Sequence, residues 1–190
     1  MKITLAKIGK SIIEEKRSKF LAYCAPVKSE EEARMILDKI RSERKDATHN
    51  VFAYIFANVV RFSDDGEPGG TAGMPVLNVF QKKGVTDFIC VVTRYYGGIL
   101  LGAGGLVRAY TKSANSALEA AGVEEQFAFT KYKVICEYSQ LEKTKYQFNK
   151  WQVEVLEIIF TEQCELIVRV RDDLAKPFLE GDFYEFTKTV

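Results

Sequence analysis

Ten of the chain's 13 glycines fall between Phe62 and Arg108. They gather mainly in two clusters, in RFSDDGEPGGTAGMPVL and in GGILLGAGGLVRAY, on either side of the apolar run TDFICVVTRYY. Glycine lets a backbone take positive φ or lie against another group. Two clusters flanking one strand, each running into a helix-like segment, therefore specify a shaped surface. That surface is where function is expected.

Several helices declare their ends. Ser29 with Glu32 forms a capping box before Ala33, Ile36, Leu37 and Ile40, one apolar face at helical spacing. Met74-Pro75 starts a short helix that Gly84 stops, and a helix of small residues from about Gly105 ends at Gly122. The runs 19–27, 51–60 and 86–95 read as strands, the middle one apolar on both faces and so central in a covered sheet. Residues 3–8 and 11–15 read as a hairpin around Gly9-Lys10. Beyond residue 130 the order becomes β-α-β-β-α, that of a ferredoxin-like unit without its closing strand. There Ser139 and Glu142 suggest a second capping box and Asp172 a cap for a last short helix that Pro177 limits. The expected division is 1–130 and 131–190.

Bulk charge excludes a globally basic nucleic-acid binder. The net charge is +1, and residues 131–190 carry 9 Lys and Arg against 11 Asp and Glu. Any basic site must be local. Cys24, Cys90, Cys136 and Cys164 form no CxxC and read as buried free thiols of a reducing compartment. No apolar run reaches the length of a membrane span, and the N-terminus lacks a secretory signal. The expectation is a cytoplasmic protein with no membrane partner.

The glycine clusters match no common cofactor motif. Gly97 and Gly102 have P-loop spacing, but Ala103 and Gly104 follow where Lys and Ser/Thr are needed. Gly102-Ala103-Gly104 begins a dinucleotide fingerprint, but Val107 stands in place of its third glycine. No cofactor is expected. Gly97, Gly98, Gly102, Gly104 and Gly105 can present backbone N–H groups at a helix start, which suits a phosphate or carboxylate. Arg108 lies in that helix's first turn, where a cation is unfavourable against the dipole, and Arg94 ends the preceding strand. Two readings fit both arginines equally: an anionic ligand, or an internal network with Asp64, Asp65 and Glu67 of the other loop. Those carboxylates lack EF-hand spacing, and a metal site is not expected. His49 is the single histidine, which argues against a histidine zinc site. Thr71, between Gly70 and Ala72, has a nucleophile's hydroxyl but no evident base.

DDGEPGGTAGMPVL and VVTRYYGGILLGAGGLVRAY, with SKFLAYCAPV and ATHNVFAY before them, resemble the YigZ/IMPACT family. The resemblance implies an α+β protein. Its first domain would be ribosomal-protein-S5-domain-2-like, and its second ferredoxin-like, as in domain V of elongation factor G. For the family's eukaryotic members it implies regulation of translation, by competition for an activator of an initiation-factor kinase. For this chain it implies a non-enzymatic role linked to translation, with RNA, the ribosome or a translation-regulating protein as partner. The alternative is an enzyme or sensor binding a small phosphorylated or carboxylated ligand at the glycine loops. No oligomeric state follows. Gly69 stands where the family often has serine, which removes a hydroxyl from the loop. The end at Val190 implies a second domain abridged of its last strand, or a sequence cut short.

Overall fold

The computed structural model describes residues 2–181 and 185–189. The chain separates into one compact unit spanning Lys2–Glu125 and a second from Gln126 onward. The elements of the first are β1 (Lys2–Leu5), β2 (Gly9–Glu15), β3 (Ser18–Pro26), α1 (Glu30–Glu43), β4 (His49–Phe56), β5 (Val59–Ser63), α2 (Gly73–Lys82), β6 (Phe88–Tyr95), α3 (Gly102–Ala121) and β7 (Val123–Gln126). Strands β2-β3-β6-β4-β5 form an antiparallel sheet in that order.

Period-two alternation assigns each face of this sheet its helices. Phe88, Cys90 and Val92 of β6 point into the core shared with Val76 and Phe80 of α2 and Ala109, Ala114 and Ala117 of α3. Ile89 and Val91 point the other way, against Ala33, Leu37 and Ile40 of α1. A strand covered on both faces is expected to be apolar along its covered length, as Phe88–Val92 of β6 is. The small residues of α3 let it lie close to the sheet. A Cβ on Gly9 would sit 2.1 Å from the Ala117 carbonyl oxygen, so only glycine fits where β2 passes under α3. Ser29 caps α1 as expected, accepting from the Glu32 N–H at 3.0 Å.

Two expectations for this unit are corrected. Residues 51–60 are not one strand: β4 and β5 form a hairpin, turned at Ala57 with φ of 49°. Nor do residues 3–8 and 11–15 pair with each other. β1 pairs with β7, tying together the two ends of the unit, a long-range choice that local pattern cannot reveal.

The second unit contains β8 (Phe129–Cys136), α4 (Leu141–Lys150), β9 (Glu154–Phe160), β10 (Cys164–Arg171), α5 (Lys176–Leu179) and β11 (Glu185–Thr189). Its sheet runs β11-β8-β10-β9, all antiparallel, which is the ferredoxin-like order. The expected missing strand is present. β11 is short and mostly polar, so the sequence signals it poorly, yet Phe186 pairs opposite Val134 and rests 5.3 Å from the Phe178 ring. The second capping box is absent: Ser139 lies inside a 3₁₀ turn, and α4 starts from Gln140 with no side-chain cap. Pro177 falls in the first turn of α5, where its missing N–H costs nothing.

All four cysteines are buried free thiols. They stand opposite one another across strands, Cys24 with Cys90 and Cys136 with Cys164. Burial pushes the Cys24 thiol up to about 12, outweighing the backbone hydrogen bond from Gly9, and raises Cys90 well above its usual value. Such thiols are packing residues. No helix among the described residues is long and apolar enough to cross a membrane.

Candidate functional site

The first glycine loop is built by its carboxylates. Asp64 follows β5 and turns back on its own chain. Its Oδ2 accepts from Gly70 N–H at 2.8 Å, and its Oδ1 from Ala72 and Gly73 N–H at 3.0 and 2.8 Å. It thereby caps α2, whose own N-cap residue, Ala72, offers no side-chain bond. Burial alone would raise the Asp64 carboxyl, but these three N–H groups outweigh it and hold it below the usual range. Asp65, at φ of 47°, accepts from the Asn50 N–H at 2.7 Å and from Arg41 at 2.9 Å. Thr71 donates its hydroxyl to the Pro68 carbonyl at 2.6 Å, so that hydroxyl is committed to the turn.

Glu67 goes deepest. Arg94 Nη1 donates to both of its carboxylate oxygens, at 2.7 and 3.0 Å, and the Tyr110 hydroxyl donates to Oε1 at 2.7 Å. His49 Nε2 stands 3.8 Å from the same oxygen, while its Nδ1 meets the Asp65 carbonyl at 2.8 Å. Burial, reinforced by the bond to Glu67, raises the Tyr110 phenol far above its usual value and keeps it a donor. Arg94 is 5% exposed and Glu67 7% exposed. The guanidinium lies over the Phe20 and Tyr96 rings, 5.5 and 5.4 Å from their centroids, and its Nε has no hydrogen-bond partner among the described residues. Arg94 thus joins the second glycine cluster to the first from inside.

The second loop is locked from another side. A Cβ on Gly97 would fall 2.1 Å from the Arg17 carbonyl carbon, so the loop backbone lies directly on the β2–β3 turn. The Ser18 hydroxyl accepts from the Gly97 N–H at 3.2 Å. Beyond Gly98 the loop exposes Ile99 and Leu100, the latter 80% exposed. Gly102, Gly104 and Gly105 then form the first turn of α3, which has no side-chain cap and no acidic residue.

Arg108 is therefore separated from Arg94. It is exposed and shares a cavity of about 220 Å³ with Glu15, Lys16, Leu101, Gly105, Ala109 and Lys112. Among the described residues, Lys16, Arg108 and Lys112 have no ion pair and no side-chain hydrogen bond. Three unpartnered cations against one carboxylate make this an anion-attracting hollow. Sequence reasoning missed Lys16 and Ser18. Both sit at the β2–β3 turn, which the packing of α3 on the sheet and the close approach at Gly97 bring to the start of α3. No group of three or more His, Cys, Asp or Glu among the described residues is placed to hold a metal.

The family model described as the Impact N-terminal domain matches residues 16–118, which include both glycine loops and every residue of this geometry except Glu15. The chain is 36% identical over 180 residues to the IMPACT family member YvyE of Bacillus subtilis, covering 93% of this chain and 83% of that protein. It belongs to the IMPACT family. Protein IMPACT of Xenopus laevis is 41% identical over 98 residues, which cover 47% of this chain and 31% of the relative. A solved structure described as a hypothetical protein aligns over 99% of this chain and 97% of its own, at 29% identity and a TM-score of 0.65. The first glycine loop is thus held by the Asp64, Asp65 and Glu67 bonds and the second by Ser18 and the β2–β3 turn, and the open chemistry lies at the start of α3.

Proposed function

We propose that this IMPACT family protein is a non-enzymatic regulator linked to translation, and that its first unit binds RNA at the cluster of Lys16, Arg108 and Lys112. Family membership supports the link to translation, which the sequence resemblance implies for the eukaryotic members. The observation that carries the RNA reading is a hollow where these three exposed cations converge without partners among the described residues. Each neutralised phosphate releases counterions, so binding of this kind weakens steeply with salt.

The test is anisotropy of labelled RNA with the full chain across a salt series. The variant Arg108→Ala with Lys112→Ala should bind more weakly at every salt concentration. Its salt slope should be shallower by about two phosphate contacts. Unchanged affinity in a folded double variant would remove the RNA reading. A second reading has the same hollow take a small phosphorylated or carboxylated ligand, favoured by its volume of about 220 Å³. Thermal stabilisation by one compound from a phosphate and carboxylate panel, with no RNA binding, would select it.

A further inference from the structure

The hollow at Arg108 opens onto a longer furrow along the outer face of α2 and α3. Arg108 and Lys112 also line a shallower cavity with Val107, Thr111, Asn115 and Ser116. Val107, Thr111 and Asn115 in turn line another with Asn78, Lys82 and Lys83. Lys83 and Asn115 continue it past Leu118 to Val123. At about 1.5 Å per residue, Asn115 beside Lys83 lies about 10 Å along α3 from Arg108. Cations therefore stand at both ends of the furrow's middle section.

Besides these cations, the polar lining of that section is amide and hydroxyl. Asn78 and Thr111 have no side-chain hydrogen bond among the described residues. Asn115 donates its amide N–H to the Thr111 carbonyl at 3.0 Å, leaving its oxygen to accept. Glu119 is the one carboxylate among the residues lining these stretches of furrow, and no aromatic ring is among them. A surface without rings lacks the aromatic stacking platforms by which single strands are usually gripped. Amides and hydroxyls flanked by cations instead match the shallow minor groove of A-form RNA. There 2′-hydroxyls both donate and accept, and phosphates border them on either strand.

We infer that the α2–α3 furrow reads the backbone of base-paired RNA, with Asn78, Thr111 and Asn115 on 2′-hydroxyls and Lys82, Lys83, Arg108 and Lys112 on phosphates. This rests on the RNA reading above and narrows it to a duplex. The test compares the full chain on an RNA duplex of about 16 base pairs, which spans two successive minor grooves, on the DNA duplex of the same sequence, and on one RNA strand alone. The RNA duplex should bind tightest. Asn78→Ala with Thr111→Ala should cut the RNA-over-DNA preference about tenfold, the worth of one or two hydrogen bonds, with the salt slope unchanged. Lys82→Ala with Lys83→Ala should weaken both duplexes alike and lower the slope. Equal affinity for RNA and DNA duplexes, or tighter binding of the single strand, would overturn the duplex inference. The broader RNA reading would survive that result if Arg108→Ala with Lys112→Ala still weakened binding. Absence of binding to all three probes would overturn both.

Discussion

At Glu67, a guanidinium, a phenol and an imidazole edge all face one buried carboxylate. Removing one partner of a buried ion pair leaves the other charge uncompensated, which costs far more than the pair itself contributes. Glu67→Ala is therefore expected to destabilise the chain by about 3–5 kcal/mol, read from urea unfolding. Glu67→Gln keeps an acceptor oxygen for Arg94 and Tyr110 and should cost less. Wild-type stability in the alanine variant would show that Arg94 finds another partner. Residue identities alone could not have assigned Arg94 and Arg108. Both are arginines beside glycines, and Glu67 lies 27 positions from Arg94. The strand pairing decides: β6 turns Arg94 inward over Phe20, whereas Arg108 falls on the outer face of α3.

Among the elements, α2 depends on a residue outside itself. Its N-terminal N–H groups at Ala72 and Gly73 are satisfied by Asp64, eight and nine positions earlier. Asp64→Ala should cost about 1–2 kcal/mol, the upper range for a lost cap. A pH dependence follows from the lowered carboxyl. A depressed folded value means the unfolded chain takes up the proton first, so the stabilisation is whole above the ordinary aspartate value near ~3.9 and fades as pH falls through the lower folded value. Asp64→Asn should flatten that acid limb of the stability curve while leaving the neutral and alkaline side parallel to wild type. An acid limb identical to wild type would remove Asp64 from the account. Helices with local punctuation were legible: Ser29 before α1, Pro75 and Gly84 around α2, and Gly122 after α3. The β4–β5 turn was not, because Ala57 is a weak turn signal and its positive φ is imposed by the hairpin. Ser139 misled because its capping spacing occurs inside a 3₁₀ turn.

For the whole molecule, the question is where the chain can be cut. The first unit's core joins α2 and α3 to one face of its sheet. The second unit has its own, in which Val134, Phe148, Leu166, Val168 and Phe178 are buried together. Separate cores make separate folding domains. We propose that residues 1–126 and 127–190 each fold alone. The cut belongs after Gln126, since β7 pairs with β1 and a chain ending at Gly122 would lose that tie. Each fragment should unfold in one cooperative urea transition. The second should be the less stable, because a unit this short buries a smaller share of its surface. Phe186→Ala provides an internal check: it strips a ring from the Tyr132–Phe178 cluster, so it should lower the midpoint of the second fragment and leave the first untouched in the full chain. A single transition in the full chain, shifted as a whole by Phe186→Ala, would mean that the two cores unfold as one. The local patterns of both cores were legible, but β11 was not, since one inward aromatic among threonines and a lysine reads as a tail. Its pairing with β8 over Glu185–Thr189 makes that tail the fourth strand on which the second fragment's independence depends.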